Sequence, residues 1–187
     1  MSVTELYEQY RADTALDIYE HLPRFVDAAL YTEAQTVIEL GVRGGCSTVA
    51  WLHAMEQTGG HLWSVDIDPA PPELVSDRWT FTQGDDLDPA VLAVQPQRAD
   101  LLFIDTSHAF RQTLLELTLY GKRVRPGGLI LCHDTELEWP FADFPELHAL
   151  NPEQYPVRLA IEQYCAVART SWREVAGCFG LGVIDVL

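Results

Sequence analysis

Two short stretches hold the residue types best suited to chemistry, Asp105-Thr106-Ser107-His108 and His133-Asp134. If the two aspartates meet, they can hold a hard divalent cation such as Mg²⁺, which takes a few carboxylates and completes its shell with water and ligand oxygens. A cation so held can bind a hydroxyl and lower its pKa. His108 follows Asp105 closely, and an imidazole titrating near neutral pH is suited to taking up the hydroxyl proton. Asp105 and His108 are therefore the candidate catalytic residues. Asp105, His133 and Asp134 are the candidate metal ligands, His133 being the least conventional because imidazole is an unusual donor to Mg²⁺. Other readings stay open at both histidines. His108 could cap a helix starting near Ala109, and His133 could orient a ligand from behind or face a neighbouring pocket.

The elements that must position these residues alternate along the chain. Residues 36–40, 61–66, 79–83, 99–105 and 129–132 are short, largely apolar runs of the kind a buried parallel strand needs. Between them lie a glycine turn at Gly41–Gly45, helical stretches after Ser47-Thr48 and Asp88-Pro89 and over 109–123, and a Pro-Gly-Gly turn at 126–128. A Pro-rich loop carrying Pro69, Pro71 and Pro72 leads to an expected short helix near 73–77. Residues 3–34 have helical spacing, broken into two helices at Pro23. After 134 come a lid-like loop over 135–154, rich in Pro and aromatic residues, a helix over 155–169, and two strands at 172–176 and 181–186 joined as a hairpin. Repeated strand–helix units imply right-handed crossovers and a parallel sheet. The fold expected is α/β: a single doubly wound Rossmann-like sheet, mostly parallel with an antiparallel C-terminal hairpin strand, and helices on both faces.

In such a sheet the ligand lies outside the carboxyl ends of the strands. Five strands in turn end in or at an acid: Glu39, Asp66, Asp85, Asp105 and Asp134. One such acid could be a helix cap or a solvated turn, but five crowded carboxylates repel one another unless a cationic or hydrogen-bonding ligand sits among them. S-adenosylmethionine (SAM) meets that need with its ammonium, sulfonium, ribose diol and adenine amine. Glu39, Gly41, Gly45 and Ser47 would flank the methionine part, with glycines letting the backbone approach. Asp66 would accept from the ribose, Ile67 would lie against adenine, and Asp85 would accept from the adenine amine. NAD is the competing ligand, since it too uses an acid after the glycine loop, but the loop Gly41-Val42-Arg43-Gly44-Gly45-Cys46 does not match the pyrophosphate motif G-x-G-x-x-G.

Composition narrows the class. The 187 residues suit one domain, and 28 acids against 12 Lys and Arg give a net charge of −16, which opposes a nucleic-acid partner. The basic cluster Lys122-Arg123-Arg125 reads as a helix C-terminus favoured by the macrodipole. No apolar run is long enough to span a membrane, and the polar N-terminus lacks a signal-peptide pattern, so a cytoplasmic protein is expected. Cys46, Cys132, Cys165 and Cys178 form no C-x-x-C pair, so a zinc cluster is disfavoured and reduced thiols are expected.

The stretches Val37–Thr48, Ser64–Asp68, Phe103–His108 and Arg125-Pro126-Gly127-Gly128 through His133-Asp134 resemble class I SAM-dependent methyltransferases. The group resembled includes cephalosporin-hydroxylase-like proteins and macrolide-sugar O-methyltransferases, and the likeness runs over most of residues 15–187. It implies a divalent metal at Asp105 and Asp134 and a base at His108. Those sugar enzymes usually carry an acid where this chain has His133. The function expected is metal-assisted O-methylation of a small-molecule hydroxyl, on a sugar or secondary metabolite, by a chain that could form a homo-oligomer. The alternative is a non-catalytic SAM-binding protein with a structural or regulatory role.

Overall fold

A computed structural model describes residues 1–137 and 155–187. Seven strands form one sheet: β1 (Thr36–Leu40), β2 (His61–Asp66), β3 (Trp79–Gln83), β4 (Ala99–Ile104), β5 (Val124–His133), β6 (Trp172–Val175) and β7 (Leu181–Asp185). Their order is β3-β2-β1-β4-β5-β7-β6. β1 to β5 are mutually parallel, and β7 runs antiparallel to both β5 and β6. This is the doubly wound sheet with a terminal hairpin that the strand pattern implies.

Strand alternation sorts the core into two layers. Val37, Leu62, Leu101, Phe103, Leu131 and Val183 face one side, packed under α1 (Val3–Tyr10), α2 (Leu22–Tyr31) and α3 (Cys46–Thr58). Ile38, Leu40, Val65, Leu102, Ile104, Ile130 and Ile184 face the other, under α5 (Phe110–Tyr120) and α6 (Pro156–Ala168). Successive side chains of a strand point to opposite faces, so an apolar run with helices on both sides is filled at every position. The short α4 (Pro89–Val94) starts at Asp88, whose side chain accepts from Ala90 N at 2.7 Å.

The strand order reverses between β1 and β4, whose neighbours in the sheet diverge. The loops after these two strands therefore open a crevice at the carboxyl edge. Gly41 and Asp105 start those loops side by side. Gly41 has φ +89°, and a Cβ on it would overlap the Asp105 carbonyl oxygen. Only glycine closes that approach.

Four local expectations are corrected. Pro23 does not break a long helix; α2 begins at Leu22 with Pro23 in its first turn, and residues 11–21 form turns. Proline is tolerated there because first-turn N–H groups lack intrahelical partners. No helix forms at 73–77, where the chain makes only turns, beside three prolines that fix φ and remove donors. Pro126-Gly127-Gly128 lies within β5 as an irregularity where its register against β4 shifts. Arg123 and Arg125 do not serve their own helix end. The buried Arg123 guanidinium donates to the carbonyls of Leu92, Gln95 and Pro96, closing the C-terminus of α4. Arg125 pairs with Asp100 and donates to Thr32 O.

Candidate active site

At the crevice lies a cavity of about 410 Å³. Its described lining is acidic: Asp66, Asp68, Asp85, Asp86 and Asp105 against the single cation Arg43. Gly41, Ile67, Thr106, Ser107 and Gln112 complete much of the rest. The volume is in the range of small-molecule sites, roughly 300–1,000 Å³. Its charge suits a cationic ligand.

Asp66 ends β2 and fastens the loop after β1. Its Oδ2 accepts from Val42 N at 2.6 Å and Arg43 N at 2.9 Å, and Oδ1 accepts from Asp68 N at 2.9 Å. A carboxylate has about four lone-pair sites, so Oδ1 keeps capacity for a ligand hydroxyl. Ile67 beside it is 71% exposed, an apolar surface with nothing yet packed on it. Asp85 is exposed and its Oδ1 accepts from Leu87 N at 2.9 Å.

Glu39, Gly45 and Ser47 lie outside the described cavity lining. Glu39 is fully buried and its carboxylate accepts from the hydroxyls of Ser47 (2.7 Å), Thr48 (2.9 Å) and Ser64 (2.6 Å). Burial pushes its pKa up to about 7 against those hydrogen bonds. Ser47 and Thr48 thus do not cap α3. The N-cap is Gly45, left-handed at φ +80° and packed where a Cβ would overlap Leu74. The hydroxyls instead tie α3 to β1.

Three residues around the cavity were not singled out from the sequence: Asp86, Gln112 and Glu116. Gln112 Nε2 donates to Asp86 Oδ1 at 2.8 Å, and Thr106 Oγ1 donates to Glu116 Oε1 at 2.7 Å. Burial and the Asp86 charge push the Glu116 pKa well up. Burial and neighbouring Asp85 and Asp66 raise Asp86 to about 6. The signal in the sequence was the spacing of Gln112 and Glu116, one turn apart on α5, opposite the acid run Asp85-Asp86.

Next to the cavity, Asp105, His108, His133 and Asp134 form one cluster. His108 Nε2 lies 3.3 Å from Asp105 Oδ1 and 2.8 Å from Asp134 Oδ2. His133 Nδ1 lies 2.9 Å from Asp134 Oδ2 and 3.6 Å from Asp105 Oδ1. His133 and Asp134 are buried, while His108 and Asp105 are half-buried. His108 and Asp134 are non-glycine residues held at φ +56° and +65°, strained backbone of the sort that gathers at functional sites. Burial works against charge on both rings, but the hydrogen bonds and charges of the two aspartates outweigh it and push His108 and His133 up to about 10. Asp105 is held well below the usual carboxylate range, since the two imidazoles overcome the opposing effect of burial. As for a cation, one donor atom each from Asp105, His108 and Asp134 lie within 4.8 Å of one another. Two carboxylates with adjoining imidazoles are a chemically sound donor set for a divalent ion.

Behind this cluster stands His21, fully buried in the turn before α2. Its Nε2–H donates to Gly177 O at 2.8 Å, and its ring meets His133 edge to face at 5.6 Å. Burial and the His133 charge lower its pKa to about 4, so the ring is neutral. The four cysteines are free thiols, Cys132 and Cys165 buried. The residues expected as a lid over 138–154, including Trp139, Phe141 and Phe144, lie outside the described residues.

A family model described as a methyltransferase domain matches residues 38–135, more than half of the chain. The chain belongs to this methyltransferase family. The matched span of the methyltransferase runs from β1 to the end of β5, so it contains the glycine loop, every acid of the cavity and both aspartates of the cluster. Among solved structures, the chain is similar to the methyltransferase PaMTH1 of Podospora anserina, bound to S-adenosylhomocysteine (SAH), at 15% identity and a TM-score of 0.65 over 99% of this chain and 87% of that one. It is similar to the O-methyltransferase TomG of Streptomyces achromogenes, involved in tomaymycin synthesis and solved with SAM, at 15% identity and a TM-score of 0.68 over 98% and 88% of the two chains. A third is the MycE methyltransferase of mycinamycin biosynthesis, solved with Mg, SAH and mycinamycin VI, at 16% identity and a TM-score of 0.69. That likeness covers 100% of this chain and 53% of MycE. At these identities the likeness is one of fold. No curated protein matches the chain in sequence.

Proposed function

We propose that this methyltransferase transfers a methyl group from SAM to a hydroxyl oxygen of a small molecule, a sugar or secondary metabolite, with help from a divalent cation. The observation that carries the proposal is the junction of an acid-lined cavity with the Asp105–His108–Asp134 cluster at one sheet edge. A cationic donor fits the cavity's charge. TomG and MycE, of like fold, were solved with SAM and with SAH beside mycinamycin VI.

SAM supplies an electrophilic methyl carbon, and its transfer depends mainly on positioning. In this reading Asp66 accepts from the ribose hydroxyls, Ile67 lies on the adenine, and Asp85 accepts from its amine. Gly41 brings the backbone close to the methionine end. Glu39 and Ser47 act from behind, holding α3 to β1 so that the loop keeps its shape. Asp105, Asp134 and His133 would hold the cation, whose positive charge would lower the pKa of a hydroxyl beside it. A cation on the two aspartates would offset the charges that keep His108 protonated, so that its neutral ring could receive the hydroxyl proton as the oxygen bonds to the methyl carbon and the carbon–sulfur bond breaks.

Calorimetry with SAM and SAH, followed by SAH release against a panel of hydroxylated acceptors, tests this. Tight binding with turnover is expected. Absence of binding removes SAM. Binding without turnover across sugars, macrolides and phenols favours a structural or regulatory SAM-binding protein.

A further inference from the structure

We infer that His133 makes the cation site a mixed nitrogen–oxygen site, built for a borderline divalent ion of the Zn²⁺, Co²⁺ or Ni²⁺ kind instead of Mg²⁺. This assignment presupposes the cation proposed above and names its class.

The first observation is spacing. His133 Nδ1 lies 2.9 Å from Asp134 Oδ2 and 3.6 Å from Asp105 Oδ1. Donors on an ion with bonds of about 2.1 Å stand roughly 3.0 Å apart at right angles and roughly 3.4 Å apart in a tetrahedron. The ring nitrogen therefore already stands at the spacing of a first coordination sphere with the two carboxylates.

The second observation is the tautomer. His21 Nε2 must carry its proton to donate to Gly177 O, which leaves His21 Nδ1 an acceptor. His21 Nδ1 and His133 Nε2 are both buried with no hydrogen-bond partner among the described residues, and their rings meet at 5.6 Å. An ion would displace the proton that His133 Nδ1 donates to Asp134 Oδ2 at 2.9 Å and take up the lone pair there, leaving the ring's remaining proton on Nε2.

The third observation is confinement. His133 is 3% exposed and ends β5, paired with Leu181 of β7. The ring cannot leave for solvent and let water and oxygen donors complete the octahedron that Mg²⁺ demands. Imidazole nitrogen suits zinc, nickel and their neighbours.

Borderline ions outbind Mg²⁺ at most sites, so affinity in the wild type alone decides nothing. The test is the dependence of the Co²⁺-to-Mg²⁺ affinity ratio on His133, measured by calorimetry on wild type, His133→Glu and His133→Asn, with SAH binding as the check on folding. The ratio is expected to fall about tenfold in both variants, with a shift of the cobalt visible absorption band. The cobalt form of the wild type is expected to show a hyperfine-shifted imidazole proton in its NMR spectrum that survives His108→Ala. That last readout stands even if neither His133 variant folds. A ratio that falls less than threefold, or a missing imidazole resonance, overturns the inference while leaving a cation at the site. Wild type that binds SAH but neither metal overturns the proposed cation as well.

Discussion

At the residue scale, the acids at the strand ends do different jobs according to their burial. Glu39 is sealed off and held by three hydroxyls, so it organises structure. Replacing it with alanine leaves those donors unpaired in the core. We expect Glu39→Ala to lower stability by about 2 to 4 kcal/mol, read from denaturant unfolding. Its pKa, raised to about 7, also has a consequence for pH. The folded state holds a proton that the unfolded chain releases near pH 4.5, so this contribution is full below about pH 4.5 and is lost as pH rises through 7. Unfolding of wild type and Glu39→Gln across pH 4.5 to 8 should show the difference moving toward the variant, by about 3 kcal/mol at most. Asp66, in contrast, keeps acceptor capacity while binding two loop amides. Asp66→Ala removes the loop's anchor and, with it, the ribose contact proposed for this carboxylate. Calorimetry should find SAH affinity reduced at least tenfold, a loss of about 1.4 kcal/mol.

At the element scale, the site depends on how tightly the β1 and β4 loops meet. Gly41→Ala places a methyl against the Asp105 carbonyl in a backbone region alanine avoids. The loop must move, and with it Asp105, so both thermal stability and SAH affinity should fall; a variant with wild-type melting and binding would contradict this close approach. The element pattern itself was largely legible: five apolar runs, the helices between them and the terminal hairpin follow from periodicity and from Gly and Pro placement. What was not legible is what each polar side chain at an element end chooses to bond. Ser47 and Thr48 have the right types for capping, yet the buried carboxylate of Glu39 is a stronger acceptor for their hydroxyl protons than helix-end amides are donors to them. Arg123 has the right position for its own helix end, yet its three carbonyl partners belong to α4 and the turn after it, 27 to 31 residues earlier in the chain.

At the scale of the whole molecule, the net charge of −16 and the acid-lined cavity act together. The sulfonium of SAM is positive and the thioether of SAH is neutral, so the field should favour SAM. That advantage should shrink as ionic strength rises from about 0.01 to 1 M, where the screening length falls from roughly 30 Å to 3 Å. Parallel calorimetric titrations of the two ligands at both salt concentrations would check it; an advantage indifferent to salt would assign the preference to short-range contacts.

The sequence by itself determined the doubly wound sheet and the row of acids along its carboxyl edge, because strand period, crossover handedness and turn chemistry are local properties of the chain. It also determined which residues could meet at Asp105, His108, His133 and Asp134. Only the tertiary structure decided which acids face a ligand and which are sealed away. Glu39 turned inward, Asp86 turned toward the cavity, and Glu116 came from a helix to bury a second carboxyl beside it. It alone brought His21 behind His133, across more than a hundred residues. Burial and long-range hydrogen bonding set those outcomes, and both depend on what packs on the far side of a residue, which no local pattern records.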